Sequence, residues 1–168
     1  ALTSLDVSNF DTTNVTNMGD MFSGCTALTS LDVSNFDTAN VTSMGAMFNN
    51  CSGLTSLDLS NWDTMNVTSM RDMFTNCNSL TSLDLSNFDT SKVTRMINMF
   101  YGCSKLLSLK LLNSDKATVE SLVQLLPKTT KQSVARGTVE IDETLVANNW
   151  EYRCIDPMWI AQYIASSS

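Results

Sequence analysis

Four aspartates recur at one interval. Asp6, Asp32, Asp58 and Asp84 lie 26 residues apart, and each is followed two positions later by a serine: Ser8, Ser34, Ser60 and Ser86. Cys25, Cys51, Cys77 and Cys103 keep the same interval. A row of carboxylates beside hydroxyls suits cations such as calcium, or a partner carrying positive or polyhydroxyl groups. A row of thiols suits disulfides or soft metals. The chain has no histidine, no paired CxxC, no nucleophile elbow and no phosphate-cradling glycine loop, so the usual general base and metal frameworks are missing. Every candidate carboxylate also belongs to a repeated row instead of a unique cleft. The chain is therefore not expected to be an enzyme, and no cofactor beyond calcium at the aspartate row is implied.

The interval itself predicts the architecture. Leu2, Leu28, Leu54, Leu80 and Leu106 follow it, as do the Met-Phe pairs at Met21, Met47, Met73 and Met99. A period of about 20 to 50 residues marks a solenoid, in which each unit buries its apolar side against its neighbours. Within a unit, Leu5-Asp6-Val7-Ser8 alternates apolar and polar like a short strand with one buried face. Val15, Met18, Met21, Phe22 and Cys25 then fall within about 120° of one another on a helical wheel. Asp11 and Thr12 supply capping oxygens ahead of them, and Gly24 or Asn50 ends the helix. The expected fold is α/β: a leucine-rich-repeat-type solenoid with short parallel strands on one wall, helices on the other, and a C-terminal cap.

That stacking decides how the rows read. Equivalent Cβ atoms repeat at about 4.8 Å, beyond the roughly 3.5–4.5 Å of a disulfide, so the four cysteines are expected as a ladder of buried, reduced thiols. Cys154 stands outside the ladder and is the thiol to test for reactivity. The methionines are expected as core. Asp11, Asp37, Asp63 and Asp89 read as turn and capping residues, and the Asn-x-Thr sequences at Asn14, Asn40 and Asn66 as polar openings of helices. The mid-strand aspartates demand more. Aspartate is a poor strand former, and like charges about 4.8 Å apart repel by roughly 1 kcal/mol per neighbour in water. Hydroxyl and solvent hydrogen bonds, a cation or a ligand must offset that. Two readings stand: a solvated acidic face, or a ligand-binding ladder of Asp6, Asp32, Asp58, Asp84 and their serines. The strand face covers only about 300 Å², against about 800 Å² per partner in a standard interface, so strong binding would need multivalency.

The run Met21-Phe22-x-x-Cys25-x-x-Leu28-x-x-Leu31-Asp32-Val33-Ser34-x-Phe36-Asp37-Thr38-x-x-Val41-Thr42-x-Met44 resembles the BspA-like leucine-rich-repeat surface proteins of bacteria, over residues 1 to about 112. The resemblance implies a leucine-rich-repeat solenoid, an extracellular or cell-surface location, and a role in adhesion through a protein or glycan on a host or neighbouring cell. It implies no catalytic residues. Similar repeats also look at home in phage tail proteins, so a structural or receptor-binding part of a phage particle is the alternative.

Residues 1–105 read as four repeats, 106–154 as a degenerate fifth repeat and cap, and 155–168 as an apolar tail. In the fifth unit Lys110 takes the place of the strand aspartate, while Val119, Leu122, Leu125 and Leu126 keep the helix positions and Pro127 stops that helix. Gly137–Asp142 reads as a strand and Leu145–Trp150 as a short helix. Met158, Trp159, Ile160, Tyr163 and Ile164 form an apolar face expected to pack on the cap or dock a partner. No cap precedes Leu2 and there is no starting Met, so the chain reads as a fragment. Missing upstream sequence, a distorted first unit or self-association is expected at the first coil. Residues 1–70 hold seven acids and no Lys or Arg, out of a net charge of −7. Such a surface repels phosphate backbones, which excludes nucleic acid as a partner, and no apolar run reaches the roughly 18 residues of a membrane span.

Overall fold

The computed structural model describes residues 1–106 and the backbone of two later strands, 108–112 and 149–153. Its three strands are β1 (Ser82–Leu85), β2 (Ser108–Leu112) and β3 (Asn149–Arg153), arranged in the order β1-β2-β3. β1 and β2 are parallel and exactly one repeat out of step in sequence, with Asp84 opposite Lys110. β3 runs antiparallel on β2 and places Glu151 opposite Lys110.

Successive repeats are joined by backbone bonds that alternate along the chain. The N–H groups of Met18, Asp20, Phe22 and Gly24 donate to the carbonyls of Ser43, Gly45, Met47 and Asn49 at 2.7–3.0 Å. Met44, Ala46, Phe48 and Asn50 donate in the same way to Ser69, Arg71, Met73 and Thr75, and Met70, Asp72, Phe74 and Asn76 to Arg95, Ile97, Met99 and Tyr101. The residues between them turn inward on their own coil: Met21, Ser23 and Cys25 donate to Met18, Asp20 and Phe22.

This corrects the expected helices. No α-helix lies among the described residues, and Val15–Cys25 with its later copies is a run of overlapping turns. Every second N–H is committed to the next coil, so an i to i−4 ladder has no donors left. The turns also require left-handed residues: Asp20, Ala46, Asp72 and Asn98 have φ of 53–59°, as do Asn50 and Asn76 at 59°, with Gly24 and Gly102 at 77–78°. Each sits third in its four-residue turn, where a type II turn takes a positive φ. Gly24 and Asn50 are therefore working turn positions and not helix ends. The apolar stripe is nonetheless a core. Met44, Met47, Phe48 and Cys51 and their copies at 70, 73, 74 and 77 have no exposure, while Met21 on the first coil is 37% exposed.

The strand expectation holds in its burial pattern and differs in its bonding. Leu31 and Val33 are buried with Asp32 and Ser34 exposed, and the Leu57 and Leu83 copies alternate likewise, but among the described copies only β1 and β2 make a ladder. Trp150, expected in a helix, lies in β3. The expected helix at 119–126, the strand at 137–142, Cys154 and the apolar tail lie outside the described residues.

Two aromatic columns fill the interior. Phe22, Phe48, Phe74 and Phe100 stack with ring centroids 5.6–5.7 Å apart, and Phe10, Phe36 and Trp62 at 6.4–6.5 Å. The columns touch, with Phe22 to Phe36 at 6.2 Å and Phe48 to Trp62 at 6.1 Å, within the range where ring pairs add about 0.5–1.5 kcal/mol beyond burial.

Buried threonines close the coils on another side. The Thr12 hydroxyl accepts the Asp37 N–H at 2.8 Å and donates to the Asp37 carbonyl at 3.0 Å. Thr38 does the same for Asp63, and Thr64 for Asp89. One hydroxyl thus replaces a full pair of backbone partners. Asparagine amides add further bridges, with Asn35 donating to Val7, Ser8 and Phe10, and Asn87 to Leu59 and Trp62.

Two substitution pairs and one single substitution test this account by chemical denaturation. Thr64→Val keeps the volume and strands both Asp89 backbone groups, so it is expected to cost about 2–3 kcal/mol, with Thr64→Ser costing about 1. Ala46→Asn puts a residue that tolerates the left-handed region at φ 53°, and is expected to gain about 0.5–1 kcal/mol. Gly24→Ala meets no neighbour and costs only the backbone conformation, whereas the Cβ of Gly102→Ala strikes Asn76 Oδ1 and is expected to cost more.

Candidate functional site: the repeated aspartate and serine face

The aspartate row owes its place to the alternation of Leu-Asp-Val-Ser, which sends Leu and Val inward and the carboxylates out. Asp6, Asp32, Asp58 and Asp84 are all exposed. In each, Oδ1 accepts the N–H of the serine two residues on, Ser8, Ser34, Ser60 or Ser86, at 2.9–3.0 Å. This is an Asx turn, and it explains why an acid stands where a strand residue is expected. The second row repeats the device: Asp11, Asp37, Asp63 and Asp89 accept from Thr13, Ala39, Met65 and Ser91 at 2.8–3.1 Å. Their expected turn role is thus made with the residue two positions on, at no helix.

The electrostatics follow from those bonds. The serine hydroxyl first, then its N–H, holds the Asp6 and Asp32 carboxyls below the ordinary range. Thr13 does so for Asp11 and Ser91 for Asp89, where Lys92 adds a smaller pull. For Asp58 the Ser60 N–H leads and its hydroxyl follows, while the charges of Asp32 and Asp84 push the other way. The turn bonds outweigh the neighbouring charges, so the mutual repulsion of the row is offset inside each unit. A carboxylate has more acceptor capacity than the serine N–H and hydroxyl use, and Asp6, Asp32 and Asp58 are exposed. In the backbone register of the sheet, position 110 pairs with Asp84 on one side and with position 151 on the other.

Among the described residues no group of three or more His, Cys, Asp or Glu is placed to hold a metal ion, and there is no helix long and apolar enough to cross a membrane.

The thiol row is a packed ladder. Cys25, Cys51, Cys77 and Cys103 are free, the last three buried and Cys25 half-buried. Their sulfurs are also bonded, a role the spacing did not reveal: Cys51 donates to the Phe22 carbonyl at 3.0 Å, Cys77 to Phe48 at 3.2 Å and Cys103 to Phe74 at 3.0 Å. Burial pushes the Cys51 thiol up to about 11 and Cys103 to about 12, and raises Cys77 as well. These are unreactive neutral thiols. The Asn-x-Thr asparagines are likewise engaged, with Asn40 and Asn66 donating to Thr13 and Ala39 of the preceding coil at 2.9 Å.

The residues missed as structural bridges were Thr12, Thr38 and Thr64, together with Asn35, Asn61 and Asn87. Their signal was present in the recurring Ser-Asn-aromatic-Asp-Thr run. It resembled loop composition because nothing local distinguishes a turn residue from one that bonds to the next coil.

Comparison with known proteins gives one match. The family described as Mycoplasma protein of unknown function, DUF285, matches residues 1–113. No curated protein matches the chain, and no solved structure does.

The turn role of the row has a pH signature. Because the folded Asp6, Asp32 and Asp58 carboxyls sit below the unfolded value of about 3.9, their contribution is complete above that value and is lost as pH falls through the folded values. The urea midpoint is therefore expected to hold from pH 7 to 5 and drop below about pH 4. A rise on acidification would show that charge repulsion dominates instead. Asp58→Asn keeps an Oδ1 acceptor but loses the charge, so it is expected to lower Tm slightly at pH 7 and to remove its share of the acid dependence, while Asp58→Ala lowers Tm by about 2–4 °C.

Proposed function

This chain belongs to the DUF285 family, and we propose that it serves as a non-catalytic interaction module on the outside of a cell, displaying its aspartate and serine rows to a protein or glycan. The reading includes a solenoid architecture akin to the BspA-like surface proteins, carried by the 26-residue repeat and the coil-to-coil bonds. The single observation that supports recognition is the exposed row of Asp6, Asp32, Asp58 and Asp84, each fixed by the same Asx turn to the serine two residues on, so that one carboxylate and one serine recur in every repeat. Such a face suits a repetitive partner, one presenting hydroxyls or cations at a matching interval. Affinity per module is low on area grounds, and many copies on one surface raise it through multivalency.

The experiment separates the turn role of the carboxylates from recognition. The chain is immobilised at high density and screened against glycan and extracellular-matrix protein arrays, beside the triple variant Asp6→Asn, Asp32→Asn, Asp58→Asn. The variant is expected to keep its fold and lose binding by tenfold or more. Binding that survives unchanged in the triple variant assigns recognition to another face, and no binding by the dense parent surface removes the proposal.

A further inference from the structure

The wall made by the overlapping turns is graded along the solenoid in both size and charge. The core takes Met44, Met47, Phe48 and Cys51 from the second coil, with their copies from the others, and leaves the residues between them outside. At the first such position successive coils carry Gly19, Gly45, Arg71 and Ile97, and at another Ser23, Asn49, Thr75 and Tyr101. Ile97 is 61% and Tyr101 60% exposed, more than any other large apolar residue described. The wall therefore ends in two large exposed side chains on the fourth coil and begins with hollows on the first two.

Nothing in the coil demands the hollow at Gly45. Its φ lies outside the left-handed region, and a Cβ there would meet only the Arg71 carbonyl at 3.5 Å and the Ser69 and Ser43 hydroxyls at 3.7 and 3.9 Å, which is ordinary contact. Arg71 and Ile97 carry full side chains at the equivalent place. Charge is graded the same way. Asp20 is exposed on the first coil and no Lys or Arg precedes residue 71, whereas Arg71 and Arg95 are exposed on the third and fourth. Arg71 is held by its neighbour Asp72 at 2.9 Å, the one ion pair among the described residues, so Asp20 and Arg95 are left for each other.

We propose that this wall is the interface of a symmetric dimer of the chain, with the two solenoids antiparallel and the twofold axis running along the turns between the second and third coils. Rotation about that line lays each column of side chains on itself in reverse order. Ile97 falls against Gly19 of the second copy, Arg71 against Gly45, and Arg95 onto the coil of Asp20. Each contact is made twice, as an isologous interface requires. A parallel pairing sets Arg95 beside Arg95 and hollow beside hollow, so that like charges repel and the glycines lose contact atoms. Four coils at about 4.8 Å and eight residues at up to about 3.3 Å give at most about 500 Å² per copy, against about 800 Å² in a standard interface. The dimer is accordingly weak and forms at high concentration. The inference is independent of what the aspartate rows bind.

The test is sedimentation equilibrium of the whole chain from low micromolar to millimolar concentration, with thermal melting of each variant at the low end. The mass is expected to rise from one chain to two. Ile97→Ser with Tyr101→Ser, and separately Gly45→Trp, are expected to weaken association at least tenfold and leave the monomer's Tm unchanged. Asp20→Arg and Arg95→Asp are each expected to abolish it alone, and an equimolar mixture of the two to restore it, because each then meets the opposite charge across the axis. A parent that stays monomeric throughout overturns the proposal, and so does a mixture that associates no better than its parts. A monomer whose Tm falls on Ile97→Ser with Tyr101→Ser overturns it as well, since the chain's own later residues are then what covers the patch.

Discussion

The structure depends on one constraint: alternate N–H groups of each coil leave it and bond to the coil that follows, always 25 residues ahead. That arrangement spends half of the local donors on the neighbour. Helix is thereby forbidden, the remaining donors are forced into short turns, and left-handed residues are required twice per coil. Stacked aromatic rings 5.6–5.7 Å apart follow from the same spacing. Hydrogen bonding sets the pitch here, and the apolar interior takes its order from it.

Side chains finish what the backbone leaves open. Buried threonine hydroxyls stand in for both halves of a peptide group. Cysteine thiols reach the carbonyl of a phenylalanine 29 residues earlier, and asparagine amides bridge to the coil before. The buried hydroxyls of Thr12, Thr38, Thr64 and Thr75 are tolerated because each has a partner in the adjacent unit. The aspartates belong to the same economy, since each quiets a backbone N–H of its own turn. The carboxylates themselves stay at the exposed surface.

The repeat length, the recurring Leu, Phe and Cys members of the core and the parallel relation of β1 to β2 were legible in the residues, while the second aromatic column of Phe36 and Trp62 was not. Neither was the conformation between the strands. Val15, Met18, Phe22 and Cys25 fall on a helical wheel, yet overlapping turns that advance two residues at a time bury much the same set. Asp20, Asn50, Asn76 and Gly102 inside the stripe were the evidence against helix, because they recur where a left-handed φ is needed. The inter-coil roles of Thr12 and Asn35 were hidden for a different reason. A contact made 25 to 28 residues away leaves no trace in local periodicity.

The asparagine bridges carry an implication for how such a chain changes over generations. Asn35 holds carbonyls of Val7, Ser8 and Phe10 at once, so its coil is indexed to the one before by several contacts that must all move together. Gain or loss of one whole unit leaves every index intact. Gain or loss of a single residue inside a unit displaces them all. Genetic drift in length is thereby quantised, and unequal recombination between repeats becomes the permitted route by which the molecule grows or shortens.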